Sequence, residues 1–261
     1  MKASDIMHPE DAKAIQVLRR LKRFDEIIRI SMQYGYEQIY RGINLGNLVK
    51  VNAHNLPKIY LAFKNVVKRV GIKEPELYIY NDPEMNAYTY GETNPFIAIS
   101  SSLVEKMTID EVSCIIAHEC GHILCKHTLY NTLLRTITEL GNLFELISAA
   151  TFGPILVAMY YWHRKSELSA DRCAAAVVGE RTYQMAMLKL ACGISDIKGS
   201  PYQLVEQARA YHRFEKDSWW NRIQQNCRVT FYSHPQMVNR AWEIDRWKDS
   251  WQYRELRNSI C

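Results

Sequence analysis

One pentapeptide restricts what this chain can become more than any other feature. His118-Glu119-Cys120-Gly121-His122 lies within a run built from Val112, Ile115, Ile116, Ala117, Ile123 and Leu124. That run is apolar nearly all round, so its spacing predicts a helix at the centre of the fold. Ahead of it, Thr108-Ile109-Asp110-Glu111 has the T-x-x-E form of a capping box, which starts a helix by satisfying its free backbone N–H groups. Positions i and i+4 share one helical face, so both imidazoles can reach a single ion. Glu119 lies beside that face, within reach of a water on the ion. The competing reading is an ordinary core helix with a chance pentad. Against it, the chain has only 8 histidines, and a glutamate among apolar residues is costly to bury without a role.

Zinc held by neutral imidazoles with one position open lowers the pKa of bound water toward about 7, and such a centre needs a third protein ligand. A histidine ten residues after His118 is one solution, but that position is Thr128. His127 falls one short and reads as a surface residue or a support for a ligand. A glutamate on a later helix is the other solution, and Ser166-Glu167-Leu168-Ser169-Ala170-Asp171 supplies it. Glu167 and Asp171 are spaced i, i+4, so Glu167 can ligate while Asp171 accepts a hydrogen bond from a ligand histidine. In isolation the same pair would read as two solvated acids on an amphipathic helix. Together these residues point to one zinc ion per chain on His118, His122 and Glu167, with Glu119 as general base for hydrolysis. Manganese or cobalt would suit the same donors.

The fold class expected is α+β, mainly helical, with a small antiparallel β-sheet next to the active helix. Of the 261 residues, 48% are hydrophobic and 23% charged, which suits one domain that folds without disulfides. The organisation expected is a helical layer over 1–72, a metalloprotease core over 73–200, and an aromatic-rich helical part over 201–261 that completes the same domain. Ile15, Val17, Leu18, Leu21, Phe24, Ile27 and Ile28 give helical spacing over 10–33, and a second helix over about 45–70 stops at Gly71. Residues 76–80, 86–90 and 96–100 read as three short strands in antiparallel succession, separated by Asn81-Asp82-Pro83 and Gly91-Glu92-Thr93-Asn94-Pro95. A long helix is expected from near Pro154 to Val178, ending at Gly179, and Ser233-His234-Pro235 reads as a further helix start. Trp219, Trp220, Trp242, Trp247 and Trp251 read as core packing.

The net charge of +5 is spread along the chain, and its densest piece is Arg19-Arg20-Leu21-Lys22-Arg23. A solvated helix face is the ordinary meaning of such a run, and no nucleic-acid-binding signature accompanies it. Seven cysteines (114, 120, 125, 173, 192, 227 and 261) without a Cys-x-x-Cys pair fit free thiols in a reducing compartment. The first residues lack the apolar core of a signal peptide, so a cytoplasmic location is the expectation. Leu146 to Trp162 carries no charge across 17 residues. A spanning helix needs about 20, and Gly153-Pro154 interrupts this run, so a buried helix is favoured over a membrane-associated one.

Four segments, taken in order, carry a resemblance: Asn86-Ala87-Tyr88-Thr89-Tyr90-Gly91, Glu111 through His122, Glu167-Leu168-Ser169-Ala170-Asp171-Arg172, and His234-Pro235. Over roughly residues 75–240 they resemble the HtpX-like and CAAX-prenyl-protease family of zinc metallopeptidases, metallopeptidase family 48. The resemblance implies a zincin-like core, a polypeptide substrate, and Asn86 and His234 lining the substrate cleft, with His234 donating to the developing oxyanion. It also implies that Tyr88 of the first segment contacts substrate and that Arg240 lies near the site. HtpX-like members carry membrane-spanning hairpins, and this chain has only the interrupted 146–162 run. Cys120 stands where the family more often has leucine. An extended substrate pairing with strand 86–90 or 96–100 would suit an enzyme acting on unfolded chains in protein quality control. The alternative is a latent or non-catalytic zinc-binding protein acting through a partner, though a purely structural zinc site would need no Glu119.

Overall fold

In the computed structural model, residues 1–19, 37–139, 149–217 and 236–260 are described. Helices α1 (Ala3–Ile6), α2 (Pro9–Arg19) and α3 (Glu37–Asn47) come first, then β1 (Val49–Lys50) and α4 (Pro57–Val70). The sheet strands β2 (Glu76–Tyr80), β3 (Ala87–Tyr90) and β4 (Phe96–Ser100) lead into α5 (Ser101–Lys106) and α6 (Ile109–Leu124). The chain continues through α7 (Thr128–Glu139), α8 (Ala149–Val178), α9 (Glu180–Cys192), α10 (Gln203–Asp217), α11 (Met237–Trp247) and α12 (Trp251–Ile260).

The sheet is mixed, in the order β1-β2-β4-β3. The antiparallel pairing expected of adjacent segments holds for β3 with β4, but β2 and β4 run parallel, with Leu77 opposite Ile97 and Ile79 opposite Ile99. The reason is the burial each strand requires. Phe96-Ile97-Ala98-Ile99 is apolar on both faces and every residue of β4 is buried, so it takes the centre. The strand β3, with polar groups on both faces, is left at the edge. One face of the sheet (Leu77, Ile79, Ala87, Ile97, Ile99) joins the main core with α4 and α6. The other carries Tyr78, Tyr80, Tyr88, Tyr90 and Phe96 under Tyr40 of α3.

The helix expected over 45–70 is divided. Asn52 Oδ1 accepts from the N–H groups of His54 and Asn55, and Asn55 Oδ1 accepts from Asn52 N, which closes a tight turn between β1 and α4. Such side-chain bonds offer the backbone an alternative to helix, and Pro57 then restarts it at the first turn. The stop at Gly71 is as expected, with a left-handed φ of 79°.

The helix α6 lies at the centre and packs most extensively on α8, with α4 and α9 on its other sides. The T-x-x-E box forms: Thr108 Oγ1 accepts from Glu111 N at 3.3 Å, and Glu111 Oε2 accepts from Thr108 N at 2.7 Å. The same Glu111 oxygen accepts from Lys189 Nζ of α9 at 2.8 Å, so the cap also anchors α6 laterally. The helix α8 is already formed at Ala149, ahead of the start expected near Pro154, and ends before Gly179. Its last carbonyls, of Ala176 and Val177, accept from Arg257 Nη1, which serves both the unpaired acceptors and the negative helix end.

Among the described residues no helix is long and apolar enough to cross a membrane. Met159 and Trp162, in the uncharged run, are fully buried. Trp247 is buried and Trp242 partly so, but Trp251 is 74% exposed and is not core packing, because α12 covers the core with Leu256 and Tyr253 instead. Cys114, Cys120, Cys125 and Cys173 are buried free thiols and Cys192 an exposed one. The basic run from Arg20, the helix expected beyond Arg19, Leu146 to Ser148, Trp219, Trp220, Ser233 to Pro235, Cys227 and Cys261 lie outside the described residues.

Candidate metal centre

His118 and His122 leave the same face of α6, and Glu167 reaches them from α8. Among the described residues these three form a buried group whose ligand atoms all lie within 4.8 Å of one another. His118 Nε2 lies 3.2 Å from His122 Nε2, and Glu167 oxygens lie 3.5 and 3.2 Å from them. Ligands about 2.05 Å from a tetrahedral ion are about 3.3 Å apart, so these three side chains stand close enough to share a first-row divalent metal. The chemistry of the donors agrees. Both Nε2 atoms turn toward each other, and their Nδ1 atoms are engaged on the far side.

The helices meet this closely because position 121 is glycine. A Cβ there would fall 2.8 Å from Cys173 Cβ and 3.0 Å from Ala170 Cα, inside van der Waals contact. The two variable residues of the pentad are therefore unequal, and one of them sets the distance between α6 and α8.

Each of the two histidines has its own support. His118 Nδ1 lies 3.0 Å from Asp171 Oδ1, so the ring donates there and leaves Nε2 free to ligate. Asp171 in turn accepts from Arg240 Nε at 2.8 Å and Nη2 at 2.6 Å. Arg240 Nη1 also lies 3.6 Å from Glu167 Oε2. Burial would raise the Asp171 carboxyl, but the Arg240 guanidinium and the His118 ring hold it below the usual carboxylate range. Burial would lower His118, but Glu167 and Asp171 together push it up to about 10. His127 is fully buried rather than a surface residue, with Nδ1 3.1 Å from His122 Nδ1.

Glu119 is buried beside the ligands, and Thr89 Oγ1 of β3 donates to its Oε2 at 2.6 Å. Thr89 was not singled out in the sequence. Its signal is alternation, since Tyr88 and Tyr90 face the aromatic side of the sheet and leave Thr89 to face α6. By the same alternation Tyr88 is not brought to the site through its side chain: it stacks on Tyr90 at 4.9 Å and Tyr80 at 5.4 Å.

Asn86 lies at the mouth of a cavity of about 130 Å³ that His118, Glu119, Glu167 and Arg240 also line. Apolar side chains of Leu103, Ile115, Met187, Leu190 and Met237 also line it. Asn86 is held there by main-chain contacts, its N–H donating to Ser100 Oγ at 3.0 Å and its carbonyl accepting from Ser100 N at 2.9 Å. Arg240 lies beside the group, with its guanidinium committed to Asp171. His234 lies outside the described residues.

A family profile described as Peptidase family M48 matches residues 54–248. The plastoglobule-localized metallopeptidase 48, chloroplastic, of Arabidopsis thaliana is 30% identical over 266 residues, an alignment covering 97% of this chain and 75% of that protein. No solved structure matches the chain at a significant level.

Proposed function

Because the chain belongs to peptidase family M48, a metallopeptidase family, we propose that it is a zinc-dependent endopeptidase with Glu119 as its general base. The observation that carries the proposal is the buried His118–His122–Glu167 group, with the Glu119 carboxylate beside it held by Thr89. Zinc on those three ligands would supply a Lewis acid and a water activated near neutral pH.

The remaining steps belong to the chain's own groups. Thr89 holds one Glu119 oxygen, which leaves the other to take the proton of the attacking water and pass a proton to the departing amine. Asp171, clamped by Arg240, keeps the His118 ring in the tautomer that ligates. On this reading Arg240 positions a ligand rather than binding substrate. Asn86 contacts substrate backbone at the cavity mouth, and His234 donates to the oxyanion. Among the described residues the strand β3 pairs with β4 alone, and an extended peptide pairs with its other edge. The apolar lining of the cavity accepts a medium-sized apolar side chain of that peptide. Sequence-tolerant main-chain pairing suits unfolded substrates and hence protein quality control. The buried free thiols favour a reducing compartment such as the cytoplasm.

Metal content and casein cleavage, measured on wild type and Glu119→Gln side by side, test the proposal. One zinc per chain in both proteins with cleavage only by wild type supports it, and no zinc in either rejects it. A second reading, a latent enzyme, is favoured by the packing of α7 against β3, the strand a substrate would pair with. Zinc in both proteins with cleavage in neither would select that reading.

A further inference from the structure

Asp11 and His127 have no part in the chemistry above, yet both are fully buried. His127 sits in the turn after α6, where its backbone N–H donates to His122 O at 2.9 Å. The residue before it, Lys126, has a φ of 58°. A non-glycine residue in the left-handed region is strained by about 1 kcal/mol or more, and here the bend returns the His127 ring beneath His122. Nδ1 of His127 then lies 3.1 Å from His122 Nδ1, and Nε2 lies 3.0 Å from Asp11 Oδ2.

Asp11 comes from α2, outside the stretch that matches the family profile. It is held against α8, where Ser169 Oγ donates to its Oδ2 at 2.5 Å and itself accepts from His8 N at 2.9 Å.

Metal ligation by His122 would fix the proton positions along this chain of groups. A His122 that ligates through Nε2 must carry its proton on Nδ1, which can only be donated. The atom facing it, His127 Nδ1, must therefore be the acceptor, so the His127 proton sits on Nε2. Nε2 lies 3.0 Å from Asp11 Oδ2, which makes that carboxylate the acceptor placed beside this proton. This repeats on His122 what Asp171 and Arg240 do for His118, with one more ring in the series.

We infer that Asp11 and His127 are positioning residues of the metal centre: Asp11 selects the His127 tautomer, and His127 selects that of His122. The N-terminal helix α2 thus completes the centre from outside the family-matched region. The inference rests on the metal-site reading above.

The test uses the full chain and zinc alone, with affinity read by competition against a chromogenic chelator. Loss of such a supporting partner typically weakens metal binding about 10- to 100-fold, and this is expected for Asp11→Asn and for His127→Leu. The double variant is expected to bind no more weakly than His127→Leu, because the two residues act in series. Gln252→Ala removes a bond from α12 to Asp5 O without touching the series, and wild-type affinity is expected. Nitrogen-15 spectra of the zinc-loaded wild type should place the His127 proton on Nε2.

Wild-type affinity in both Asp11→Asn and His127→Leu would overturn the positioning role while leaving the metal site standing. Failure of wild type to bind zinc would reject both readings together. If Asp11→Asn does not fold, the tautomer in wild type decides: a proton on His127 Nδ1 overturns the inference, and one on Nε2 supports it.

Discussion

Replacing Gly121 with alanine probes the spacing of α6 and α8 in isolation from any ligand. The new methyl would lie 2.8 Å from Cys173 Cβ and 3.0 Å from Ala170 Cα. Carbon atoms settle at about 3.5–4.0 Å, so the helices must part by about 0.7–1.2 Å, since neither neighbour can rotate away. Overpacking of this kind costs about 1–3 kcal/mol, and the gain in helix propensity returns about 1 kcal/mol. The net destabilisation is therefore about 0–2 kcal/mol, a fall in Tm of less than about 8 °C for a chain of this size. The effect on the centre is larger. Glu167 lies about one turn from Ala170 on α8, and metal–ligand distances tolerate only about 0.2 Å. Gly121→Ala should fold yet bind zinc at least about tenfold more weakly, as read by calorimetry and chelator competition. Adding Cys173→Ala should not rescue it, because the clash is with Cβ. Unchanged zinc affinity and Tm in Gly121→Ala would refute the proposed role of this glycine.

Thr89→Val removes the donor to Glu119 while preserving shape. A hydrogen bond to a charged group is worth about 1.5–3 kcal/mol, so kcat should fall about tenfold or more with metal content unchanged, and an effect on KM alone would contradict the role given to Thr89. Lys189→Met strands the buried Glu111 carboxylate and should cost about 3 kcal/mol in urea unfolding; a loss below about 1 kcal/mol would show that the pair does not anchor the active helix. Burial pushes the thiols of Cys114, Cys120, Cys125 and Cys173 up, whereas Cys192 is exposed. Under native conditions alkylation followed by mass spectrometry should therefore mark Cys192 and spare those four, and rapid labelling of Cys173 would count against the packing around Gly121.

What could be read in advance was whatever depends on neighbours a few residues apart. The shared face of His118 and His122 follows from the i, i+4 period of α6, the T-x-x-E cap from Thr108 and Glu111, and the helix stop from Gly71. Glu167 and Asp171 were legible for the same reason, as two acids on one face of α8. The division of the helix expected over 45–70 was also local, since Asn52, Asn55 and Pro57 stand in plain view, but helical spacing on either side concealed it.

Other features needed the tertiary structure. Strand order is one: β2, β3 and β4 are recognisable singly, but burial on both faces moved β4 between the other two. The side-chain orientations of β3 followed, with Thr89 directed at Glu119 and Tyr88 away from it. Another is the identity of residue 121, where glycine is required only because α8 arrives at that point. His127 is the clearest case, one position away from a ligand pattern in the sequence yet placed beneath His122 by a left-handed Lys126 and met there by Asp11. Periodicity reports a residue's surroundings on its own element. It carries no information about a carboxylate delivered from the other end of the chain, because that contact is decided by how the buried faces of several helices pack together.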